Sequence, residues 1–545
     1  MTSITCKHSA SKGNDLLVSF MLTLVFFVAA HTSYTILFET NDDILFSMLI
    51  HGYGISAYPT NFLPVSNTLI AVISHIIPTI FTIPGYITLT MGLLLVSLWA
   101  ILYFLLRLNF PYIIVLPVYI LVFMRAVFVP QFTVTSGLLT VAAIMCLCAY
   151  VNDRSKAYIP IMVVLATFGY LLRAQQFFLL VCIALPLLPW KSIVSIKPIR
   201  LAACVTIITV GFSAFADHHV KNAPEIRDYT DFLDTMIPIL NYGAAWHLAK
   251  RDDILKKHGY TSNDIHILRR CFHITPRYTN TKAIAEMLNE LGPTFKQAQS
   301  LQKGAEALKA FLDFQLLPLL VLGLILLIAL PLNRKQRLLI LCVWLIAIGF
   351  FFYIGLMGRP GQLRIYYPIA CFALVAPLLI SPYQAQTVNR CAFVCILSIA
   401  LFCAAWNVQN TLAIAQKGEQ WVEDAREDMR QLPTDEPIFS WGGSFPYELI
   451  YPVFGNYKAY TQYDIPLFGG YTSAPFSTTV TLANQGKGFL ERMRTPLGVL
   501  SFDAAGNCCE KNLKIFAKEH LDCRVECQKI GFLRPRANII RAYCK

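Results

Sequence analysis

The chain has 545 residues and a formal net charge of +13, with 56% hydrophobic residues and only 14% charged ones. A soluble domain carries about 25% charge, so a chain this poor in charge is solvated largely by lipid. Its Lys and Arg residues lie in short clusters between apolar runs, with no basic tract and no zinc-finger spacing, which argues against nucleic acid as a partner.

Met1 to Asp15 carries Lys7 and Lys12 ahead of an apolar run at 16–38. That run exceeds the 7–15 residues of a signal-peptide core and ends without a small-residue cleavage site, so it reads as an uncleaved first membrane helix. Further apolar runs follow at 86–106, 111–129, 132–151, 157–172, 175–190, 200–216, 314–331, 338–357, 364–380 and 391–409. Together they predict a polytopic α-helical membrane protein of about 11 transmembrane helices, in which 157–172 and 175–190 are short enough to be partly re-entrant. With the N-terminus inside, alternation places Arg107, Arg154, Lys156, Lys191, Lys197, Arg200, Arg334, Lys335, Arg337 and Arg390 on the cytoplasmic face, as the positive-inside rule requires.

The same alternation leaves 39–85, 217–313 and 410–545 outside. The first segment, broken by Pro59, Pro64, Pro78 and Pro84, is too apolar for a free loop and reads as interfacial amphipathic helices. The second contains a helical pattern at Thr281 to Leu291. The third has short β-like runs, Pro437 to Ser440 and Gly498 to Phe502, punctuated by Gly-Gly pairs at 442–443 and 469–470. The expected organisation is therefore a transmembrane domain over 1–409 and a small exterior α/β or α+β domain over 410–545. Cys271, Cys508, Cys509, Cys523, Cys527 and Cys544 fall in the exterior segments, where an even set in an oxidising compartment is expected to form disulfides.

Glu39, Asn41, Asp42 and Asp43 follow directly on the first span, ahead of the apolar stretch Ile44 to Ile50. Two readings stand side by side: a helix cap for an interfacial helix starting near residue 44, and a general base or metal ligand facing a cavity at the membrane surface. The segment "ETNDDILFSMLIHGYGISAYPTNFLPVSNTLIAVISHIIP", with "QFTVTSGLLTVAAIMCLCAY" and "GYLLRAQQFFLLVCIALPLLP", resembles bacterial GT-C membrane glycosyltransferases. "GYTSNDIHILRRCFHITPRYT" is similar to a segment of bacterial relatives, whereas "SWGGSFPYELIYP" stands where an oligosaccharyltransferase would carry Trp-Trp-Asp-Tyr-Gly, so transfer to asparagine is not implied. The resemblance implies a GT-C-like fold, a polyprenyl-phosphate-linked sugar as donor, a glycan or lipid acceptor, and Asp42 and Asp43 as catalytic residues.

Arg125, Arg173, Arg359 and Arg364 lie near outer ends of spans, against the positive-inside trend. One such arginine snorkels to the headgroups, whereas four suit a phosphate-binding role, because guanidinium groups bind phosphate bidentately. Arg364 and Arg173 rank first, and "GRPGQLRIYYP" places Arg359, Arg364, Tyr366 and Tyr367 where a lipid phosphate would enter. Asp264 is a candidate acceptor contact, although Ser262-Asn263-Asp264 also reads as a helix N-cap. Trp441-Gly442-Gly443 reads as a strand end and turn, and an aromatic there can also stack on a sugar.

These readings converge on an enzyme of the cell inner membrane, its C-terminus outside, that moves a sugar from a polyprenyl-phosphate donor to a cell-envelope acceptor with inversion. A divalent ion (Mg2+ or Mn2+) held by Asp42 and Asp43 is left open. The alternatives are an O-antigen-type polymerase, which would rely on loop arginines, a transporter or flippase, which would place ionisable groups at mid-bilayer, and a non-catalytic assembly protein.

Overall fold

The computed structural model describes residues 12–545 except 81, 109, 294–299, 360, 382–389, 458–460, 505–507 and 536. Lys7 and the side chains of Arg390, Cys508 and Cys509 lie outside the described residues. Each of the eleven apolar runs holds a helix. In chain order the first eight helices are α1 (Lys12–Ser33), α2 (Asp42–His51), α3 (Thr68–Ile76), α4 (Gly85–Arg107), α5 (Tyr112–Phe128), α6 (Phe132–Asp153), α7 (Tyr158–Leu172) and α8 (Ala174–Ala184). Long helices follow at Lys197–Lys221, Arg334–Leu356, Leu363–Ile380 and Arg390–Met429.

Among the described residues, seven helices are long and apolar enough to cross a membrane. An eighth crossing arises if Ser300–Leu312 and Leu317–Ala329, bent by 79°, count as one broken span. The apolar helices Tyr112–Phe128, Tyr158–Leu172 and Ala174–Leu187 are shorter. The chain is thus an integral membrane protein by helix length and composition. Leu17 and Val25 of α1, and Ile207 and Phe215 of Lys197–Lys221, are exposed on the bundle's flanks, as lipid-facing side chains should be.

Helix α6 runs through the centre of the bundle and is buried on nearly every side. Its small residues permit close approach: a Cβ on Gly137 would stand 2.3 Å from the Pro368 Cβ of Leu363–Ile380. At one end of the bundle Arg107 gathers Asp15 (3.2 Å) and Asp153 (2.7 Å), tying together the start of α1 and the ends of α4 and α6. The opposite end carries the folded C-terminal residues.

There the C-terminal residues form a five-stranded mixed sheet in the order β2-β1-β3-β5-β4. The strands are β1 (Ile438–Trp441), β2 (Leu467–Phe468), β3 (Val499–Ala504), β4 (Val525–Leu533) and β5 (Ala537–Cys544). β1 is parallel to β2 and β3, while β5 runs antiparallel to β3 and β4. The second long loop does not stand free of this sheet. Phe232, Met236, Phe272, Tyr278, Ile284 and Met287 share one apolar core with Phe439, Trp441, Phe468, Phe489 and Phe516. Trp441 ends β1 and stacks on Phe272 with centroids 4.7 Å apart, so its ring is spent on the core; the Gly442 that follows turns the chain at φ 55°. The helix in that loop spans Thr281–Leu291, as its pattern predicts.

The end of the first apolar run and the first loop are laced into the same body by backbone hydrogen bonds: Val453 N–H to Ile36 O (3.0 Å), Ala57 N–H to Phe476 O (2.8 Å) and Thr478 N–H to Ile55 O (3.0 Å). Arg390–Met429, 40 residues long, is about 60 Å of helix, roughly twice the hydrocarbon thickness. Its far end leaves the apolar layer and holds Arg534 between Asp424 (3.0 Å), Glu427 (2.7 Å) and Asp428 (2.8 Å). Cys523 and Cys544 form a disulfide, whereas Cys527 and Cys271 are free thiols. Burial pushes the Cys527 thiol up to about 12.

Candidate active site

Helix α2 begins at Asp42, just beyond the first span, and its start does not use the expected cap. Asn41 is in the helical region and makes no side-chain capping bond. Its amide reaches instead to the sheet domain, donating to Phe445 O (3.3 Å) and accepting from Glu448 N–H (3.2 Å). The capping account of this acidic segment therefore fails for Asn41, and the two aspartates that follow have separate environments.

Asp43 is fully buried. It accepts from Tyr86 Oη (3.2 Å), at the start of α4, and from Phe132 N–H (3.4 Å), at the start of α6. Burial, then the neighbouring Asp42, raises its pKa to about 8 despite the two donated hydrogen bonds. Asp43 thus pins α2 to the start of two bundle helices and holds a proton at neutral pH.

Asp42 points the other way, with its side chain 40% exposed. Arg364 Nη1 donates to Asp42 Oδ2 (2.9 Å) and to Thr40 Oγ1 (3.2 Å), and Thr40 Oγ1 donates to the same carboxylate (3.1 Å). Gly137 decides this contact at a distance, because it lets Leu363–Ile380 lie against α6 and so carries Arg364 to Asp42.

Arg173 and Arg359 complete a cluster. Arg173 sits at the break between α7 and α8, donates to Val65 O (3.3 Å) and stands 5.9 Å from the Phe132 ring centroid. It feels the like charges of Arg359 and Arg364 and the opposite charge of Asp42. Arg359 lies 6.0 Å from the Tyr242 ring centroid. Burial, then Arg364, lowers its pKa. Its approach needs Gly358, whose φ is 89° and whose added Cβ would meet Tyr242 O at 2.7 Å. Arg364 thus pairs with one accessible carboxylate, and Arg173 and Arg359 lie within electrostatic reach of both, leaving a local excess of about two positive charges for an anion to neutralise.

Two other candidates are placed elsewhere. Arg125 is 3% exposed and is neutralised by Glu39 at 2.8 Å, with Gln315 as a further partner. Asp264 is also buried, and it is the third helical residue in a capping box with Thr261 at the start of Ser262–Arg269. Its oxygens take Tyr278 Oη (2.5 Å), His520 Nε2 (2.8 Å), Thr261 N–H (2.8 Å) and Arg277 Nη2 (3.2 Å). Glu519 and His520 close a group with Asp264 of ion-binding size, but those hydrogen bonds account for its geometry. Neither residue joins the arginine cluster.

Sequence reasoning did not single out Thr40, Tyr86, Tyr242 or Tyr471, which complete the site. Tyr471 is held within electrostatic reach of Asp42 by the Gly469-Gly470 turn of the sheet domain, and burial raises its pKa. No local pattern marks these residues. Their common feature is a place in a different segment that folding brings to one spot.

No protein-family model matches the sequence, and no curated protein matches it. Among solved structures, the chain is similar to ArnT from Cupriavidus metallidurans in the apo state. There the identity is 12% over 96% of this chain and 97% of that one, with a TM-score of 0.38. It is likewise similar to ArnT from the same organism bound to undecaprenyl phosphate, with 11% identity over 97% and 98% of the two chains and a TM-score of 0.39.

Proposed function

We propose that the protein is a membrane glycosyltransferase that moves a sugar from a polyprenyl-phosphate donor to a cell-envelope acceptor. The observation that supports this reading is the convergence of Arg173, Arg359 and Arg364 on Asp42, at the bundle end covered by the sheet domain. The arginines receive the donor phosphate, and Asp42 serves as general base. An acceptor hydroxyl attacks the anomeric carbon as its proton passes to Asp42. The bond from that carbon to the phosphate oxygen breaks, and the oxygen leaves with the electron pair into the arginine cluster. One displacement inverts the anomeric centre. Asp43 acts through Tyr86 and α6 as a positioning residue.

The donor set does not suit the divalent ion that the sequence leaves open. Asp42 and Asp43 face different partners, and a cation at Asp42 would meet the arginine charges. No step is assigned to a metal.

The Lys and Arg alternation along the sequence supports an orientation with this end outside the cell's inner membrane. The test is binding of undecaprenyl phosphate to the detergent-solubilised full chain. Each Arg→Ala change at 173, 359 or 364 should weaken binding about tenfold or more, through loss of a charge-assisted hydrogen bond. Arg364→Lys should lose less than Arg364→Ala, since charge survives without the fork. Unchanged affinity in all three Ala variants would refute the phosphate site.

A further inference from the structure

Four of the five residues from Glu39 to Asp43 tie this segment to its surroundings or to Arg364, each through different partners. Glu39 pairs with Arg125 at 2.8 Å, and its backbone N–H donates to Pro130 O at 3.1 Å. Asn41 bonds Phe445 O and Glu448 N–H of the sheet domain, and Asp43 is held by Tyr86 and Phe132. The backbone on either side of residue 40 is thus fixed by both the bundle and the sheet domain. Thr40 sits half-buried in this frame, and among the described residues its hydroxyl bonds Asp42 and Arg364 alone.

The chemistry of these three groups sets the direction of each hydrogen bond. A guanidinium can only donate, and an ionised carboxylate can only accept. Arg364 Nη1, 3.2 Å from Thr40 Oγ1, therefore donates to it, and the single hydroxyl proton of Thr40 goes to Asp42 Oδ2 at 3.1 Å. Arg364 Nη1 also donates to Oδ2, at 2.9 Å. Both donors converge on one carboxylate oxygen and occupy its two lone pairs. Asp42 Oδ1 has no hydrogen-bond partner among the described residues, on a side chain that is 40% exposed. A proton arriving at Oδ2 would displace a donor, whereas one arriving at Oδ1 displaces none.

Arg364 by itself does not impose this asymmetry. A guanidinium fork readily takes both oxygens of a carboxylate, and its long side chain can move between them. Thr40 is short and stiff at χ1, and it stands two residues from Asp42 on a fixed backbone. It holds Oδ2 toward itself and leaves Oδ1 turned to whatever enters the site.

We propose that Thr40 is a positioning residue for the transfer: by holding Asp42 Oδ2, it presents Oδ1 as the atom that takes the acceptor's proton. The proposal rests on the transferase reading, and its test separates the two. The acceptor hydroxyl gives its proton to Oδ1 as its oxygen bonds the anomeric carbon, and the phosphate oxygen leaves with the electron pair of the broken bond. Thr40 keeps its own proton throughout. The test uses the detergent-solubilised full chain, undecaprenyl phosphates bearing glucose, mannose or N-acetylglucosamine, and an envelope-lipid extract as acceptor. Thr40→Val, which keeps the shape and removes the hydroxyl, should lower kcat about tenfold or more. Acceptor KM and undecaprenyl phosphate affinity should stay within about twofold, and the unfolding temperature should hold. Thr40→Ser should recover most of the lost kcat. Added to Asp42→Asn, Thr40→Val should cost nothing further, because no base remains to be positioned. Wild-type kcat in Thr40→Val overturns the proposal, as does failure of Thr40→Ser to recover it. A fall in kcat matched by weaker undecaprenyl phosphate binding or a lower unfolding temperature would assign Thr40 to architecture and overturns it too. A slow Asp42→Asn beside a fully active Thr40→Val sinks this proposal alone, whereas wild-type transfer by Asp42→Asn, or no transfer by the wild type, sinks the catalytic reading together with it.

Discussion

Replacing Asp42 by Asn separates chemistry from architecture, because the structure shows how little the fold asks of this carboxylate. Asp42 caps nothing, is 40% exposed, and contributes one ion pair to Arg364 at 2.9 Å. An exposed pair of that kind stabilises by roughly 0–1 kcal/mol, and the amide oxygen of Asn can still accept from Arg364 and Thr40. Thermal unfolding in detergent should therefore shift by no more than a few degrees. Loss of the general base should instead slow transfer about 10²–10⁴-fold, or roughly 3–5 kcal/mol in the barrier. The assay follows transfer from a polyprenyl-phosphate-linked sugar to an envelope acceptor in membranes holding equal amounts of each protein. Undecaprenyl phosphate binding is measured alongside it and should change little. Wild-type transfer by the Asn variant would show that Asp42 is not the base. A variant that neither folds nor inserts would show that the segment is structural, contrary to its exposure.

Asp43 should behave differently: with a folded-state pKa raised from 3.8 to about 8, it holds a proton in the native state that the unfolded chain releases. The stability it contributes is full below about pH 4 and is lost as pH rises through 8, by up to roughly 6 kcal/mol. Asp43→Asn, which mimics the protonated acid, should flatten this dependence in unfolding scans from pH 5 to 9, and an unchanged slope would refute the assignment. Gly137→Val should destabilise the protein by about 1–3 kcal/mol through overpacking against Pro368, and it should lower transfer by displacing Arg364. Equal unfolding temperature and equal activity would count against that route. Reporter fusions at Lys257 and Lys487 should read as non-cytoplasmic and one at Lys335 as cytoplasmic; a cytoplasmic reading at Lys487 would overturn the orientation.

The helical membrane class was legible from composition and run length alone, since a 20-residue apolar stretch has few other solutions. Local patterns also sufficed for the helix Thr281–Leu291 and for strands β1 and β3, whose extents follow from short-range periodicity and glycine placement. Charge type singled out Asp42, Asp43, Arg173, Arg359 and Arg364, because ionisable groups beside apolar runs need a reason to be there. Which of these work together was not legible. Arg125 and Arg364 look alike in the sequence, and only packing gives one to half-buried Glu39 and the other to Asp42. Asp42 and Asp43 are adjacent, yet the helical turn of about 100° per residue sends one into the bundle and the other toward the arginines. Tyr242 and Tyr471 lie more than a hundred residues from Asp42, and the second loop and sheet domain, which share one core, bring the first against Arg359 and the second within electrostatic reach of Asp42. Local sequence sets each segment's hydrophobic period and charge; the meeting of three segments at one carboxylate depends on long-range burial, which no window along the chain records.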